Sequence, residues 1–211
     1  MAWEIQKTID QLVIQGDMQE LIVVAPYNDE NRTMEYTYNN SGDAILDYYE
    51  YTVAPWIQSQ LRVYPLVPPA SRWGLFGSSL GGLMSCYAGW TRAHMFDRVI
   101  CMSSSFWWDN EGLLHNVLSQ QPASGLPDLT WYLDSGDAGP DQDDKNQTLA
   151  VRAKLEQYGY KMNETLYYYL DHGGQHNELY WGARFHYPMS WLYPPEPVVA
   201  RTVHLAPYVH A

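Results

Sequence analysis

A serine flanked by glycines is the feature of this chain whose residue types and spacing point most directly to chemistry. Ser79 lies in the pattern G-x-S-x-G, from Gly77 to Gly81, after an apolar run that begins at Trp73 and before a helix-like segment. A serine on a sharp strand-to-helix turn presents its hydroxyl above the sheet, and small neighbours let a substrate approach it. The pentapeptide alone also occurs in ordinary tight turns, so the flanking patterns matter. Together they predict that Ser79 is a nucleophile.

A histidine far along the chain is placed to activate that serine. A serine hydroxyl needs a base within hydrogen-bond reach, and the base needs a third group to orient it. His176 lies in a glycine-containing loop that follows a strand pattern and precedes a helix pattern. His172 is the nearest alternative, but it stands closer to the end of the strand. We therefore expect His176 to act as general base and acid, the alternative being a capping or surface role.

The third group is expected from an acidic loop that follows the predicted strand Leu129–Asp134. The loop offers four carboxylates: Asp137, Asp141, Asp143 and Asp144. Asp143 is preferred because it lies just before the next helix, in a loop that is long enough for its side chain to reach back to the histidine. Asp144 and Asp137 remain alternatives. The loop lacks the ligand spacing and closing glutamate of a helix-loop-helix calcium site, so no metal is expected.

Acyl transfer also needs donors for the negative charge that develops on the carbonyl oxygen. At a strand-to-helix turn of this kind, the backbone N–H of the residue after the nucleophile supplies one donor, and here that residue is Leu80. A second donor usually comes from the loop after the third strand, and this chain offers no clear source for it.

The elements that must position these residues alternate along the chain. Strands are predicted at Glu20–Pro26, Trp73–Gly77, Arg98–Met102, Leu129–Asp134 and Thr165–Leu170. Helices are predicted at Ile5–Gly16, Asp43–Leu61, Glu111–Ser119 and Gln147–Tyr158, with a last one beginning near Asn177. Asp43 is expected to be an N-cap, and Pro55 to kink or break its helix. This alternation predicts an α/β fold with a mostly parallel sheet and flanking helices, as one domain over residues 1–193 with an extended tail over 194–211.

Composition narrows the class of protein. The chain has 211 residues, 46% of them hydrophobic, and a formal net charge of −12. That charge argues against nucleic acid and anionic membranes as partners, since both need a basic face. Two cysteines, Cys86 and Cys101, lie in apolar segments and are expected to be buried free thiols. No signal peptide or membrane-spanning run is visible, and secretion stays compatible with an incomplete N-terminus, so compartment and oligomeric state stay open.

Four segments together resemble the putative esterase family, which includes esterase D, feruloyl esterases and siderophore-ester hydrolases. They are Ile22–Pro26 followed by Asn31–Tyr36, Gly74–Leu83, Ser104–Trp108, and Gly174–Glu178 with Trp181 and Arg184. The resemblance implies an α/β-hydrolase fold and hydrolysis of a small-molecule carboxylic ester through an acyl-serine intermediate, without a cofactor. It also implies that Arg32 and Glu35 form a pair bordering the cleft and that Trp107 is a wall of the acyl pocket. The alternatives are a loop-bracing ion pair and a core aromatic residue.

The chain also departs from this family. Family members begin with several strands before the first helix, and one of them ends in a His-Gly turn that helps to build the oxyanion hole. In the family sheet that strand lies between the counterparts of Glu20–Pro26 and Trp73–Gly77. We therefore expect an N-terminally shortened sheet with one of three outcomes: Glu20–Pro26 pairs directly with the elbow strand, another chain supplies the missing piece, or the product folds poorly.

Two functions follow from these observations. The first is a serine carboxylic-ester hydrolase with Ser79 as nucleophile, His176 as base and Asp143 as orienting acid. The alternative is a weakly active or inactive hydrolase-fold binding domain, or an acyltransferase that uses the same triad. A single lost oxyanion donor costs on the order of a hundredfold to a thousandfold in rate.

Overall fold

Four of the five predicted strands form a parallel sheet in the computed structural model, which describes residues 3–28, 30–63, 73–122 and 125–195. The strands are β1 (Gly74–Ser79), β2 (Arg98–Ser104), β3 (Thr130–Gly136) and β4 (Leu166–Asp171). Their order in the sheet is β1-β2-β3-β4, and every neighbouring pair is parallel. Parallel pairing requires a crossover between strands, and helices supply it. The predicted α/β class is confirmed.

Helices flank this sheet. They are α1 (Ile5–Gln15), α2 (Arg32–Glu35), α3 (Gly42–Tyr48), α4 (Ala54–Gln60), α5 (Leu80–Thr91), α6 (Trp108–Gly112), α7 (Lys145–Tyr158), α8 (Glu178–Arg184) and α9 (His186–Leu192). Two π-helical turns, Tyr49–Val53 and Leu113–Val117, and a 3₁₀ turn, Gln142–Asp144, complete the helical segments of the described residues.

The long helix predicted over Asp43–Leu61 is divided. A π-helical turn joins α3 to α4 without a break, and Pro55 follows it as the second residue of α4, where its ring has no N–H to donate to the preceding turn. The prediction of Asp43 as N-cap is wrong, since Ser41 holds that position. The Asp43 carboxylate instead accepts hydrogen bonds from Tyr87 Oη at 3.0 Å and Arg92 Nη2 at 3.2 Å.

Apolar side chains cover both faces of the sheet. One cluster packs α5 against β1 and β2 and includes Leu83, Cys86 and Cys101, all completely buried. The other packs α1 and α9 against the opposite face. Both cysteines are buried free thiols, as the sequence indicates. This two-sided burial explains why the strands read as continuous apolar runs.

The strand predicted at Glu20–Pro26 is absent from the sheet. These residues belong to no helix or strand, and Ile22, Val23 and Val24 are 54%, 39% and 41% exposed. The strand propensity of a residue reflects how well its side chain packs on a pleated surface, so it has effect only where a partner strand is present. Among the described residues, β1 pairs only with β2. The structure therefore does not pair this segment with the elbow strand, β1.

The predicted tail, residues 194–211, falls almost entirely outside the described residues, which end at 195. The division into a domain over 1–193 and a tail therefore stays a prediction. Within the described part of the chain, no helix has the length and apolar character needed to cross a membrane.

Candidate active site

Ser79 stands at the junction of β1 and α5 in a backbone conformation that few residues adopt. It is the last residue of β1, and α5 begins at Leu80. Its φ of 57° and ψ of −125° lie outside the regions that L-residues favour, which is a strained turn of the kind a nucleophile elbow requires. Gly77 permits this turn, because a Cβ there would lie 2.5 Å from the carbonyl carbon of Gly81. The local geometry expected of the G-x-S-x-G pattern is present.

A second serine, which no sequence pattern indicates, lies within hydrogen-bond distance of the Ser79 hydroxyl. Ser105 follows β2, and its Oγ lies 3.2 Å from Ser79 Oγ. The Ser105 N–H also donates to the backbone carbonyl of Ser79 at 3.1 Å. Ser105 is only 2% exposed, so the pair is held on the buried side of the elbow.

His176 and Asp143 form a short hydrogen bond. His176 Nδ1 lies 2.6 Å from Asp143 Oδ1, and the Asp143 side chain is fully buried. The other carboxylate oxygen of Asp143 accepts from Ser103 Oγ and from the Gly136 N–H, each at 2.5 Å. Burial alone would raise the pKa of Asp143, but the hydrogen bonds from His176, Ser103 and Gly136 outweigh it and lower that pKa. The carboxylate is therefore ionised at neutral pH, and the Nδ1 side of the imidazole is fixed.

The two alternative acids, Asp137 and Asp144, have different partners from those of Asp143. Asp137 accepts from the Gly173 N–H at 2.7 Å and lies 2.8 Å from His172 Nδ1. Burial, together with neighbouring carboxylates, raises the pKa of Asp144 to about 6, although His176 opposes the rise. Of the three candidate acids, Asp143 is the one that the structure hydrogen-bonds to His176.

These residues line one open cleft of about 800 Å³. Ser79, Asp143 and His176 all contribute to its wall, so the structure brings the three predicted triad residues to one place. Trp107 and Asp144 lie on the same wall. Trp107 is 48% exposed, so it is not a core residue.

Leu80 occupies the first position of α5, a helix of 12 residues. The N–H groups of a helix's first turn have no acceptor within the helix, and the helix dipole favours negative charge there. The position of Leu80 at the start of α5 leaves its N–H without an acceptor inside the helix, and its role as an oxyanion donor stays a prediction.

The two residues predicted to border the cleft lie outside the set of residues that line it. Arg32 and Glu35 lie on the short helix α2, and neither is among the described residues that line the cleft. The Arg32 guanidinium lies over the Tyr36 ring, 5.2 Å from its centre. Tyr36 in turn approaches Gly81, where a Cβ would lie 4.0 Å from the ring. The helix thus lies beside the elbow, and the substrate-binding role of the pair stays a prediction.

A buried ionic network lies behind the Asp143 carboxylate. Arg184 is 2% exposed and donates through Nε and Nη2 to both carboxylate oxygens of Asp134, at 3.0 and 2.9 Å. Its Nη2 also donates to Ser103 Oγ at 2.5 Å and lies 3.7 Å from Asp143 Oδ2. The sequence carried one signal for this network, because Arg184 is the single cation in the aromatic segment 179–193.

The donor set of the cleft does not indicate a metal centre. Among the residues that the structure describes, no group of three or more His, Cys, Asp or Glu side chains is arranged to hold a metal ion.

Comparison with known proteins places the chain among esterases. Residues 1–191 match the family model described as putative esterase. The chain belongs to this putative esterase family. The siderophore triacetylfusarinine C esterase of Aspergillus fumigatus is 40% identical over 75 residues, and the siderophore enterobactin esterase of Emericella nidulans is 34% identical over 76. Each match covers 36% of this chain and 24% of the relative, so the chain matches about a quarter of the length of these two proteins.

The fold has solved counterparts. A ferulic acid esterase superimposes with a TM-score of 0.72 at 18% identity, over 90% of this chain and 77% of that protein. At this identity the likeness concerns the fold alone, and it shows that the four-stranded sheet and its helices have the α/β-hydrolase fold.

Proposed function

We propose that this member of the putative esterase family hydrolyses carboxylic esters through an acyl-serine intermediate, with Ser79, His176 and Asp143 as its triad and no cofactor. The observation that carries the proposal is the 2.6 Å contact between His176 and Asp143 at the wall of the cleft that contains the strained elbow serine. A buried carboxylate that fixes one imidazole nitrogen leaves the other to exchange protons in the cleft.

The reaction follows from this arrangement. Ser79 Oγ attacks the acyl carbon while His176 Nε2 takes its proton, and the carbonyl electrons move to the oxygen. Collapse of the tetrahedral intermediate breaks the ester C–O bond, and the imidazolium gives its proton to the departing alkoxide. Water then attacks the acyl-serine with His176 as base, which releases the acid and restores Ser79.

Charge on the oxygen of each tetrahedral intermediate is stabilised by the Leu80 N–H at the start of α5. A fixed donor strengthens its interaction as the charge develops, and one such donor is worth about 3 to 4 kcal/mol. The N-terminal end of a helix of 12 residues adds a favourable dipole at the same point.

The substrate class we propose is a small-molecule ester with a ring or amide-bearing group. Trp107 offers a half-exposed indole on the cleft wall, and the amide side chains of Gln147 and Gln175 supply donors and acceptors beside it. The relatives named for triacetylfusarinine C and enterobactin act on siderophores, so esters of these two kinds are the first substrates to test beside aryl esters.

The test is covalent labelling of the purified chain with a fluorophosphonate probe. We expect mass spectrometry to place the adduct on Ser79, and a nitrophenyl ester to give a burst of nitrophenol equal to the enzyme concentration. Ser79→Ala removes both signals, and Ser85→Ala, a buried helix serine, is the matched control that keeps them.

Circular dichroism on the same samples separates folding from chemistry. A folded wild-type chain that takes no label refutes the proposal and favours a non-catalytic binding domain. Adding an alcohol acceptor and analysing products distinguishes hydrolysis, which gives the free acid, from acyl transfer, which gives a new ester.

A further inference from the structure

Ser103 lies between a buried cation and the carboxylate of Asp143. Its hydroxyl is 2.5 Å from Arg184 Nη2 on one side and 2.5 Å from Asp143 Oδ2 on the other. A guanidinium can only donate, so the Ser103 oxygen must accept from Arg184. The single hydroxyl proton is then left for Asp143. The direction of both hydrogen bonds is therefore determined by the chemistry of the groups.

Arg184 cannot easily turn away from this contact. Two of its nitrogens donate to Asp134, and Nη1 donates to Asp171 Oδ2 at 3.1 Å. Asp134 is itself held by the Tyr132 hydroxyl at 2.9 Å and by the Ser103 N–H at 2.9 Å. A planar guanidinium group that is hydrogen-bonded on several sides has little rotational freedom, so Arg184 presents a fixed donor to Ser103.

The backbone at Ser103 is also unusual. Its φ of 38° is in the left-handed region that non-glycine residues rarely occupy, and the residue is completely buried. Such strain persists only where the surroundings impose it, and it is frequent at functional sites. Here it accompanies a side chain bonded to both Arg184 and Asp143.

We propose that Ser103 and Arg184 are positioning residues for the triad: they hold Asp143 Oδ2, and thereby turn Oδ1 towards His176. The inference rests on the proposed function, since it concerns the same triad. It adds two residues on β2 and α8 to the groups on which the reaction depends.

The charges around Asp143 determine the direction of the expected effect. The Asp143 carboxylate faces five groups. They are His176 in the loop before α8, Arg184 on α8 at 3.7 Å, Ser103 near the end of β2, the Gly136 N–H at the end of β3, and the neighbouring carboxylate of Asp144. Removing the Ser103 hydroxyl takes one donor from the carboxylate, which then binds the proton of the His176–Asp143 pair more tightly. The pair therefore protonates at higher pH.

The experiment compares Ser103→Ala with Ser104→Ala. Ser104 is an equally buried neighbour on β2 whose Oγ has no hydrogen-bond partner among the described residues, so its loss is the matched control. The first readout is the far-downfield proton NMR signal of His176 Nδ1–H, assigned by its loss in Asp143→Asn. We expect Ser103→Ala to shift or broaden this signal and Ser104→Ala to leave it unchanged.

The second readout is the pH profile of kcat/KM for a nitrophenyl ester. We expect Ser103→Ala to raise the acid-side midpoint by about one pH unit and to lower kcat roughly tenfold, as loss of one hydrogen bond to a charged group predicts. Ser103→Gly, which also lacks the hydroxyl but accepts the positive φ, should give the same shift if the alanine variant folds poorly.

The outcomes separate this inference from the proposed function. A wild-type profile and an unchanged downfield signal in both Ser103 variants overturn the positioning role. Hydrolysis that persists in Ser79→Ala overturns the proposed function instead, while the NMR comparison, which needs no turnover, still decides whether Ser103 orients Asp143.

Discussion

Replacing Asp143 by asparagine tests the triad most directly, because the structure determines which way the new amide must face. Two donors, Ser103 Oγ and the Gly136 N–H, point at Oδ2. An amide nitrogen in that position would oppose both donors, so the asparagine oxygen takes it and the NH₂ group turns to His176. An NH₂ group there forces His176 Nδ1 to accept and puts the imidazole proton on Nε2. That tautomer cannot take a proton from Ser79.

The expected loss is large. A wrong imidazole tautomer in a serine triad lowers kcat on the order of 10⁴-fold. This corresponds to about 5.5 kcal/mol of transition-state stabilisation, since each tenfold change is about 1.4 kcal/mol. The assay is steady-state hydrolysis of a nitrophenyl ester, with circular dichroism to show that the variant is folded.

Asp144→Asn is the matched control, since Asp144 is the next residue and also lines the cleft. We expect it to keep kcat within about tenfold of wild type, because Asp144 makes no contact that fixes the tautomer of His176. A full loss in Asp144→Asn with activity retained in Asp143→Asn would refute the assignment and transfer the role to Asp144.

Three further predictions concern stability and binding. Gly77→Ala should lower the thermal midpoint in circular dichroism by the equivalent of about 1 to 3 kcal/mol, because the new Cβ would lie 2.5 Å from the Gly81 backbone. Gly81→Ala should destabilise the protein less, because the nearest atom to its Cβ is 4.0 Å away. Asp144, with its pKa raised to about 6, stabilises the fold below its ordinary pKa of 3.8 and loses that contribution as pH rises through 6. Asp144→Asn should therefore gain on the order of 1 kcal/mol in urea unfolding at pH 7.5 and nothing at pH 4; equal effects at both would refute it. Trp107→Ala should raise KM for aryl esters several-fold with kcat little changed, and an unchanged KM would remove Trp107 from the binding surface.

The parts of the site that depend on local sequence could be predicted. The Ser79 turn follows from a strand pattern, two glycines and a helix pattern within a short segment. The loop position of His176 follows from the strand before it and the helix after it. Each of these predictions needed only neighbours along the chain.

The choice of acid could not be made in this way. Asp137, Asp143 and Asp144 all lie in one loop, and residues 142–144 all have positive φ, a conformation that no propensity indicates. The inward-pointing carboxylate of Asp143 contacts Ser103 and Arg184, which are 40 and 41 residues away from it along the chain. Packing between distant elements decides it.

The strand predicted at Glu20–Pro26 failed for a related reason. Its β-branched residues favour an extended backbone, and the backbone there lies outside any helix. A strand, however, also needs a partner with free N–H and C=O groups at the right spacing. Local composition contains no information about whether that partner is next to it.

The order β1-β2-β3-β4 has a consequence for how the protein is made. Because spatial order repeats chain order in the described part of the sheet, β2, β3 and β4 can each add to the outer side of the strand before, and none of these three must be inserted between two that have already paired. The turn with Ser79 forms early, whereas His176 and Arg184 arrive last. The described strands can thus assemble stepwise, whereas the proposed triad is complete only once the final helices have docked.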